Sequence, residues 1–320
     1  MVSLKDIQNA RTLLRNIAVR TPLVLCKLPD DRQIFIKPEN LQPVGSFKLR
    51  GAYNKISSLT PEECKRGVVA HSSGNHAQGV AFAARALGVK ATIVMPATAP
   101  KVKLDATRAL GADLVLVGPA SEDRIKKAEE LEKEHGLVPV PPYNDEKIIA
   151  GQGTIGLEIL EDMAEVELVL VPIGGGGLIS GVAAAIKESN PKAKVIGVEP
   201  EFAADAQASF RSGKIQSISG ESAARTAADG LRSQSIGEIN FEHIRKYVDE
   251  VITVTEDEIR RAMRRLLFSG RILAEPSGAV TTAAAMFHAE ELPPSSTTVA
   301  VLTGGNIEPQ LFSDMLLQTV

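Results

Sequence analysis

Four stretches of the chain carry side chains, or lack them, in patterns that could do chemistry. Pro172-Ile173-Gly174-Gly175-Gly176-Gly177-Leu178 follows an apolar run and leads into an alanine-rich stretch ending near Ser189. Residues without side chains let several backbone N–H groups converge on one anion at a helix start, so this run reads as a phosphate cradle. A dinucleotide fits less well, because the spacing is not Gly-x-Gly-x-x-Gly and Glu199 is only a formal candidate for a ribose-binding acid. Ser46-Phe47-Lys48-Leu49-Arg50-Gly51 puts a lysine near a helix start, just after the turn-forming Pro43-Val44-Gly45; taken alone, such a lysine is a surface charge. Ser72-Ser73-Gly74-Asn75-His76-Ala77-Gln78-Gly79 joins a strand to a helix and presents hydroxyls, an amide and free N–H groups, which together suit a carboxylate. His76 has two readings there, a direct ligand or a helix-start residue that satisfies backbone groups. Glu199-Pro200-Glu201-Phe202-Ala203-Ala204-Asp205 offers two carboxylates and free carbonyls, a set that Mg²⁺, Mn²⁺ or Ca²⁺ accepts; the alternative is a solvated loop.

The elements that must position these groups alternate. Gly67 to Ala70, Ala91 to Met95, Asp113 to Val117, Leu168 to Pro172, Val195 to Val198 and Thr297 to Leu302 read as strands. Helical patterns cover about 75 to 87, 100 to 110, 121 to 135, 145 to 162, 177 to 189, 256 to 268 and 276 to 290. The alternation predicts an α/β fold with two open, twisted, mostly parallel sheets covered by helices on both faces. Three tight strand–helix units fill 67 to 140, and Pro139, Pro141 and Pro142 punctuate the chain after them. We therefore expect a small mobile domain at 66–145 inserted in a large domain made of 1–65 and 146–320.

Composition narrows the function classes. The chain has 320 residues, 36 basic against 39 acidic, and its clearest basic cluster is Arg260, Arg261, Arg264 and Arg265. That cluster follows Glu256, Asp257 and Glu258 behind a Thr255 cap, which reads as a helix with acids in its first turn rather than a nucleic-acid surface. Cys26 and Cys64 are far apart and in no metal-ligand spacing, which suits a reducing compartment. The N-terminal stretch mixes charges with apolar residues, and no segment is long and apolar enough to span a bilayer, so the expectation is a cytoplasmic protein with no membrane partner.

Ser-Phe-Lys-Leu-Arg-Gly at 46–51, Ser-Ser-Gly-Asn-His-Ala-Gln at 72–78, the 174–177 glycine run and Thr303-Gly304-Gly305-Asn306 occur in that order over nearly the whole chain. In this the sequence resembles the fold-type II pyridoxal-phosphate enzymes, whose architecture is that of the tryptophan synthase β chain, and specifically their serine/threonine dehydratase and serine racemase branch. The resemblance implies that Lys48 carries the cofactor and then serves as general base. It implies further that Phe47 packs on the ring, Asn75 bonds the 3-hydroxyl, Gly174, Gly175, Gly176, Gly177 and Leu178 hold the phosphate, Thr303 meets the pyridine nitrogen, and Glu275 is the acidic residue near the cofactor. Ser72, Ser73, Asn75 and His76 would receive the substrate carboxylate with help from Arg124, and Glu199, the Ala203 carbonyl and Asp205 would hold a divalent cation. A neutral hydroxyl at the pyridine nitrogen favours loss of a β-leaving group over long-lived carbanion chemistry. The implied reaction is conversion of L-threonine or L-serine to 2-oxobutanoate or pyruvate and ammonia by a homodimer. Ser73 keeps serine racemisation as the second reading, with Lys48 and Ser73 as acid–base groups on opposite faces, and a dehydratase for another 3-hydroxy amino acid such as hydroxyaspartate is a third.

Overall fold

The computed structural model describes residues 1–72, 74–99 and 101–317, the side chain of Val102 excepted. In chain order the elements are α1 (Leu4–Leu14), β1 (Val24–Lys27), β2 (Gln33–Pro38), α2 (Lys48–Ile56), α3 (Pro61–Arg66), β3 (Val68–His71), α4 (Asn75–Leu87), β4 (Ala91–Pro96), α5 (Lys101–Ala109), β5 (Asp113–Val117), α6 (Ser121–His135) and β6 (Val138–Pro139). There follow α7 (Glu146–Asp162), β7 (Leu168–Pro172), α8 (Gly177–Ser189), β8 (Lys194–Pro200), α9 (Asp205–Ser212), α10 (Gly220–Ala224), α11 (Glu238–Tyr247), β9 (Glu250–Val254), α12 (Glu256–Arg265), α13 (Pro276–Phe287), β10 (Thr298–Leu302) and α14 (Pro309–Leu317).

The larger sheet has the order β1-β2-β10-β7-β8-β9 and is parallel except for the β1–β2 hairpin. Its central strands are apolar throughout because both faces are covered. Val169, Val171, Val195, Val299 and Val301 join one apolar layer with α8 and α11 residues, while Leu170, Ile196, Val198, Ala300 and Leu302 join the opposite layer with α12 and α13 residues. The smaller sheet, β5-β4-β3-β6, is parallel throughout and lies between two further apolar clusters. Ala52 and Ile56 of α2 belong to the larger of those clusters, together with Ala77, Val80 and Ala81 of α4.

Two expected helix ends shift, and strands are added. The helix expected to run to Phe268 leaves α geometry at Arg265 and continues as a π-helical turn, Leu266–Gly270, closed by Arg271 in a left-handed conformation. The basic cluster on it is engaged within the chain: Arg264 and Arg265 bond the carbonyls of Leu316 and Lys27, Arg260 pairs with Asp257, and the exposed Arg261 holds its guanidinium 4.4 Å from the Phe287 ring centre. Thr255 caps this helix with Glu258 in a capping box. The helix expected over 276 to 290 stops at Phe287, and the β1–β2 hairpin and β9 add strands that the apolar pattern does not single out.

Candidate active site

In open parallel sheets, ligands gather beyond the carboxyl ends of the strands. Here β3 ends at His71 before the asparagine loop, β7 ends at Pro172 before the glycine run, and β10 ends at Leu302 before Thr303. One cavity of about 450 Å³ is lined by Phe47, Lys48, Ser72, Gly74, Asn75, His76, Arg124, Gly174, Gly175, Gly176, Gly177, Leu178, Glu275 and Thr303. Every residue assigned from the sequence to the cofactor or the substrate carboxylate therefore faces a common space, except Ser73, which lies outside the described residues.

Lys48 is not the surface charge that its sequence position alone suggests. The Ser46 backbone bridges to Gly304, the Phe47 N–H bonds the Thr303 carbonyl at 3.1 Å, and Gly305 N–H bonds the Gly45 carbonyl at 3.0 Å, so the turn before α2 is fastened to the loop after β10. Gly45 is left-handed, φ 69°, and a side chain there would strike that of Asn306. The amine of Lys48, a half-buried residue lining the cavity, donates to the Pro142 carbonyl at 2.9 Å and stands 5.2 Å from the Phe47 ring centre. Burial pushes its pKa down to about 8, so the neutral, nucleophilic form is accessible near neutral pH.

The glycine run meets the requirement for an anion seat. Gly176, with φ 94°, is the N-cap of α8 and carries no side chain to cap it. The N–H groups of the first turn of α8 have no carbonyl within the helix, and the loop lines the cavity. α4 likewise begins at Asn75 without a side-chain cap, which leaves its first N–H groups for a second anion.

The side chains around these seats are already engaged. The Asn75 amide donates to Glu275 Oε1 at 2.6 Å, and its carbonyl oxygen accepts from Asn306 at 2.8 Å. Burial, with Asp229 nearby, pushes Glu275 up to about 8, so it is protonated at neutral pH. Thr303 Oγ1 donates to the Ser277 carbonyl at 3.3 Å. His76 resolves toward its structural reading. Burial and the Lys48 charge push its pKa down to about 3, and the neutral ring contacts the Val140 carbonyl at 2.8 Å through Nε2, so α4 can offer an anion backbone N–H groups but not an imidazolium. Arg124 reaches the cavity wall, but its guanidinium bonds Pro119 and Ala120 carbonyls and Ser121 Oγ at the start of its own helix.

The acidic stretch at the end of β8 is no solvated loop. Glu199, Ala203 and Asp205 are all fully buried. Glu199 accepts from Ala206 and Gln207 N–H at 3.1 and 2.8 Å, whereas neither Asp205 oxygen has a partner. Burial and then the Asp205 charge raise Glu199 well above the usual carboxylate range, and burial pushes Asp205 up to about 7. Orphaned carboxylate oxygens of this kind suit a hard cation. Among the described residues no three His, Cys, Asp or Glu side chains gather as a metal cluster, so a cation here would need carbonyl or water oxygens besides these two carboxylates.

Sequence reasoning did not single out Pro142, Tyr143, His71 or the Lys103–Asp229 ion pair (2.7 Å), all of which line the same cavity. The Pro-Pro-Tyr run carried a signal, but it reads as a border between domains. The ion pair joins residues 126 apart and has none.

A lysine amine that shares one cavity with two helix starts lacking side-chain caps, beyond the ends of parallel strands, is the arrangement of an enzyme of the pyridoxal-phosphate class. Residues 14–304 match the family model "Pyridoxal-phosphate dependent enzyme", and the chain belongs to that family. It is 46% identical to the L-threonine ammonia-lyase of Thermotoga maritima over 99% of this chain and 78% of that one. Among solved structures it resembles the threonine deaminase isoform 2 of Solanum lycopersicum in its processed form (39% identity, TM-score 0.92, 99% of this chain and 92% of that one). It also resembles the serine racemase of Dictyostelium discoideum (37% identity, TM-score 0.89, 96% and 99%).

Proposed function

We propose that this chain is a pyridoxal-phosphate-dependent ammonia-lyase that converts L-threonine or L-serine to 2-oxobutanoate or pyruvate and ammonia, the water lost from Cβ in the elimination being taken up again when the released enamine hydrolyses. The observation that carries the reading is the half-buried Lys48, its amine pushed down to about 8, in a cavity that is also lined by the uncapped starts of α8 and α4. The near-complete alignment with threonine ammonia-lyase supports the substrate class. Pyridoxal phosphate bound here would supply an aldehyde for the substrate amine and a ring that draws electron density from the Cα–H bond. Residues 174–178 would hold its phosphate, Phe47 would pack on its ring, Asn75 and Glu275 would face its 3-hydroxyl side, and Thr303 would meet its ring nitrogen as a neutral hydroxyl. Lys48 in its amine form takes the Cα proton. The N–H groups at the start of α4, with Ser72 and Ser73, orient the substrate carboxylate so that the Cα–H bond points at Lys48.

The same reading extends to organisation. The smaller sheet and its helices, 66–145, form a domain that closes over the substrate and excludes water, while 1–65 and 146–320 form the large one. Glu199, Asp205 and the Ala203 carbonyl hold a divalent cation, which the partnerless Asp205 oxygens support. Leu25, Leu41, Phe268 and Leu273 remain 41–59% exposed, and this apolar surface supports a homodimer. No helix among the described residues is long and apolar enough to cross a membrane, and we assign the protein to the cytoplasm.

Serine racemisation is the second reading, favoured by the structural likeness to a serine racemase and by Ser73 in the sequence. One experiment separates the two. Purified protein is given L-threonine, L-serine and L-threo-hydroxyaspartate while 2-oxo acid, ammonia and D-amino acid are followed, with Lys48→Ala in parallel. The proposal expects 2-oxo acid and ammonia in equal amounts, lost in Lys48→Ala, with little D-product. Predominant D-serine puts the racemase reading first, and no turnover of any of the three rejects the substrate class.

A further inference from the structure

The segment after β6 runs through the cleft and touches both ends of the cofactor site. The Pro142 carbonyl receives the Lys48 amine at 2.9 Å, and the next residue, Tyr143, lies on the glycine loop. A Cβ at Gly175 would stand 2.2 Å from Tyr143 Cδ1 and 2.3 Å from Cγ, and a Cβ at Gly177 would stand 2.9 Å from Tyr143 Cα. Gly175 is not in the left-handed region, so its backbone would accept alanine, and the Tyr143 ring is what excludes a side chain there. Gly176 differs: its φ of 94° demands glycine on conformational grounds. The strap itself is fixed on its far side, where Asn144 Oδ1 accepts from Ile239 N–H at 3.1 Å and the Asn240 amide donates to the Tyr143 carbonyl at 3.4 Å.

We propose that Tyr143 is a positioning residue for the cofactor phosphate: its ring braces the glycine loop with the N–H groups converging on the anion, while Pro142 holds Lys48 at the opposite end. The inference rests on the pyridoxal-phosphate reading. The packed ring does the work, so phenylalanine can replace tyrosine, and the ring acts on the phosphate end alone. A general role in stability would weaken any ligand equally.

The test uses full-length apoprotein, titrated with pyridoxal phosphate and with pyridoxal, which lacks the phosphate, in wild type, Tyr143→Ala, Tyr143→Phe, Gly175→Ala and the Tyr143→Ala/Gly175→Ala double variant. Tyr143→Ala should lower the preference for the phosphorylated ligand by roughly tenfold, the effect of one immobilised bulky side chain. Tyr143→Phe should keep the wild-type preference. Gly175→Ala should weaken pyridoxal phosphate by roughly tenfold in the wild-type background and by no more than about threefold beside Tyr143→Ala, because the clash is then gone. Equal weakening of both ligands, a Tyr143→Phe variant as poor as Tyr143→Ala, additive effects of the two substitutions, or tighter binding by Tyr143→Ala would each overturn the assignment. A wild-type apoprotein that shows no Lys48-dependent chromophore with either ligand would instead sink the cofactor reading, and this inference with it.

Discussion

Arg50, two residues beyond Lys48, is 1% exposed and holds the helix that carries the lysine. Its guanidinium donates to Glu39 at 2.8 and 2.9 Å, to Glu158 at 2.7 and 3.0 Å and to Thr154 Oγ1 at 3.1 Å. Lys37, equally buried, adds a 2.6 Å bond to Glu158, so two cations and two anions balance beneath α2. Arg50→Ala leaves Glu39 with only Thr21 and Gln42, both neutral. Removing one partner from a buried ion pair costs roughly 3–5 kcal/mol, because the remaining charge stays buried. Unfolding entropy near 2.1 cal/mol/K per residue gives, over 320 residues, about 0.7 kcal/mol/K, so the loss translates into a Tm lower by about 4–7 °C. Scanning calorimetry of the apoprotein reads this directly. Arg50→Lys restores the charge without the planar fork and should recover only part of the loss. Arg50→Ala should also weaken cofactor binding, since α2 loses its ion pairs to Glu39 and to Glu158 of α7. A Tm within about 1 °C of wild type would refute the reasoning, because that is the effect of a surface substitution.

Three further outcomes follow from the site. Since burial holds the Lys48 amine at about 8, the rate of pyridoxal phosphate uptake by apoprotein should climb with pH and level off above about 8; a plateau only above about 10 would mean an ordinary, solvated lysine. Glu275 has a folded-state pKa pushed up to about 8 from the ordinary 4.5, so the folded protein keeps a proton that the unfolded chain releases between those values. Stability from this group is therefore full below about 4.5 and declines as pH rises through 8, and Glu275→Gln, which keeps a carbonyl oxygen for Asn75, should flatten that decline in urea titrations at pH 6 to 9. Chelation should lower the thermal midpoint and Mg²⁺ should restore it, a stabilisation of about 2.7 kcal/mol, or about 4 °C, at a hundredfold excess over its dissociation constant; Asp205→Ala should be indifferent to both.

The fold class was legible in the sequence where local pattern is enough, and the residues picked out for the cofactor and the substrate carboxylate, Ser73 excepted, line one cavity. Apolar runs such as Leu168–Pro172 are continuous because both faces are covered, and the glycine run announces a loop where backbone must come close. Sequence reasoning missed β2, where Lys37 interrupts the apolar pattern; that lysine can sit in a central strand only because Glu158, 121 residues away, neutralises it. The packing around the glycine run was out of reach for a similar reason. Gly175 and Gly177 also make room for Tyr143, a contact between residues more than thirty apart that spacing cannot reveal.

Burial acts on two ionisable groups that line the cavity in opposite senses and moves each toward its uncharged form. It lowers Lys48 to about 8 and raises Glu275 to about 8, in each case as the largest cause. A site lined by a fixed ammonium and a fixed carboxylate would bind a zwitterionic amino acid tightly in its ground state and gain nothing in rate. Here both groups titrate near neutral pH, and on the proposed reading the negative charges of phosphate and substrate would meet backbone N–H groups at α8 and α4, whose partial charge does not titrate. The division explains why the chemistry-bearing side chains are few and deeply placed while the anion seats are built from glycine and helix starts.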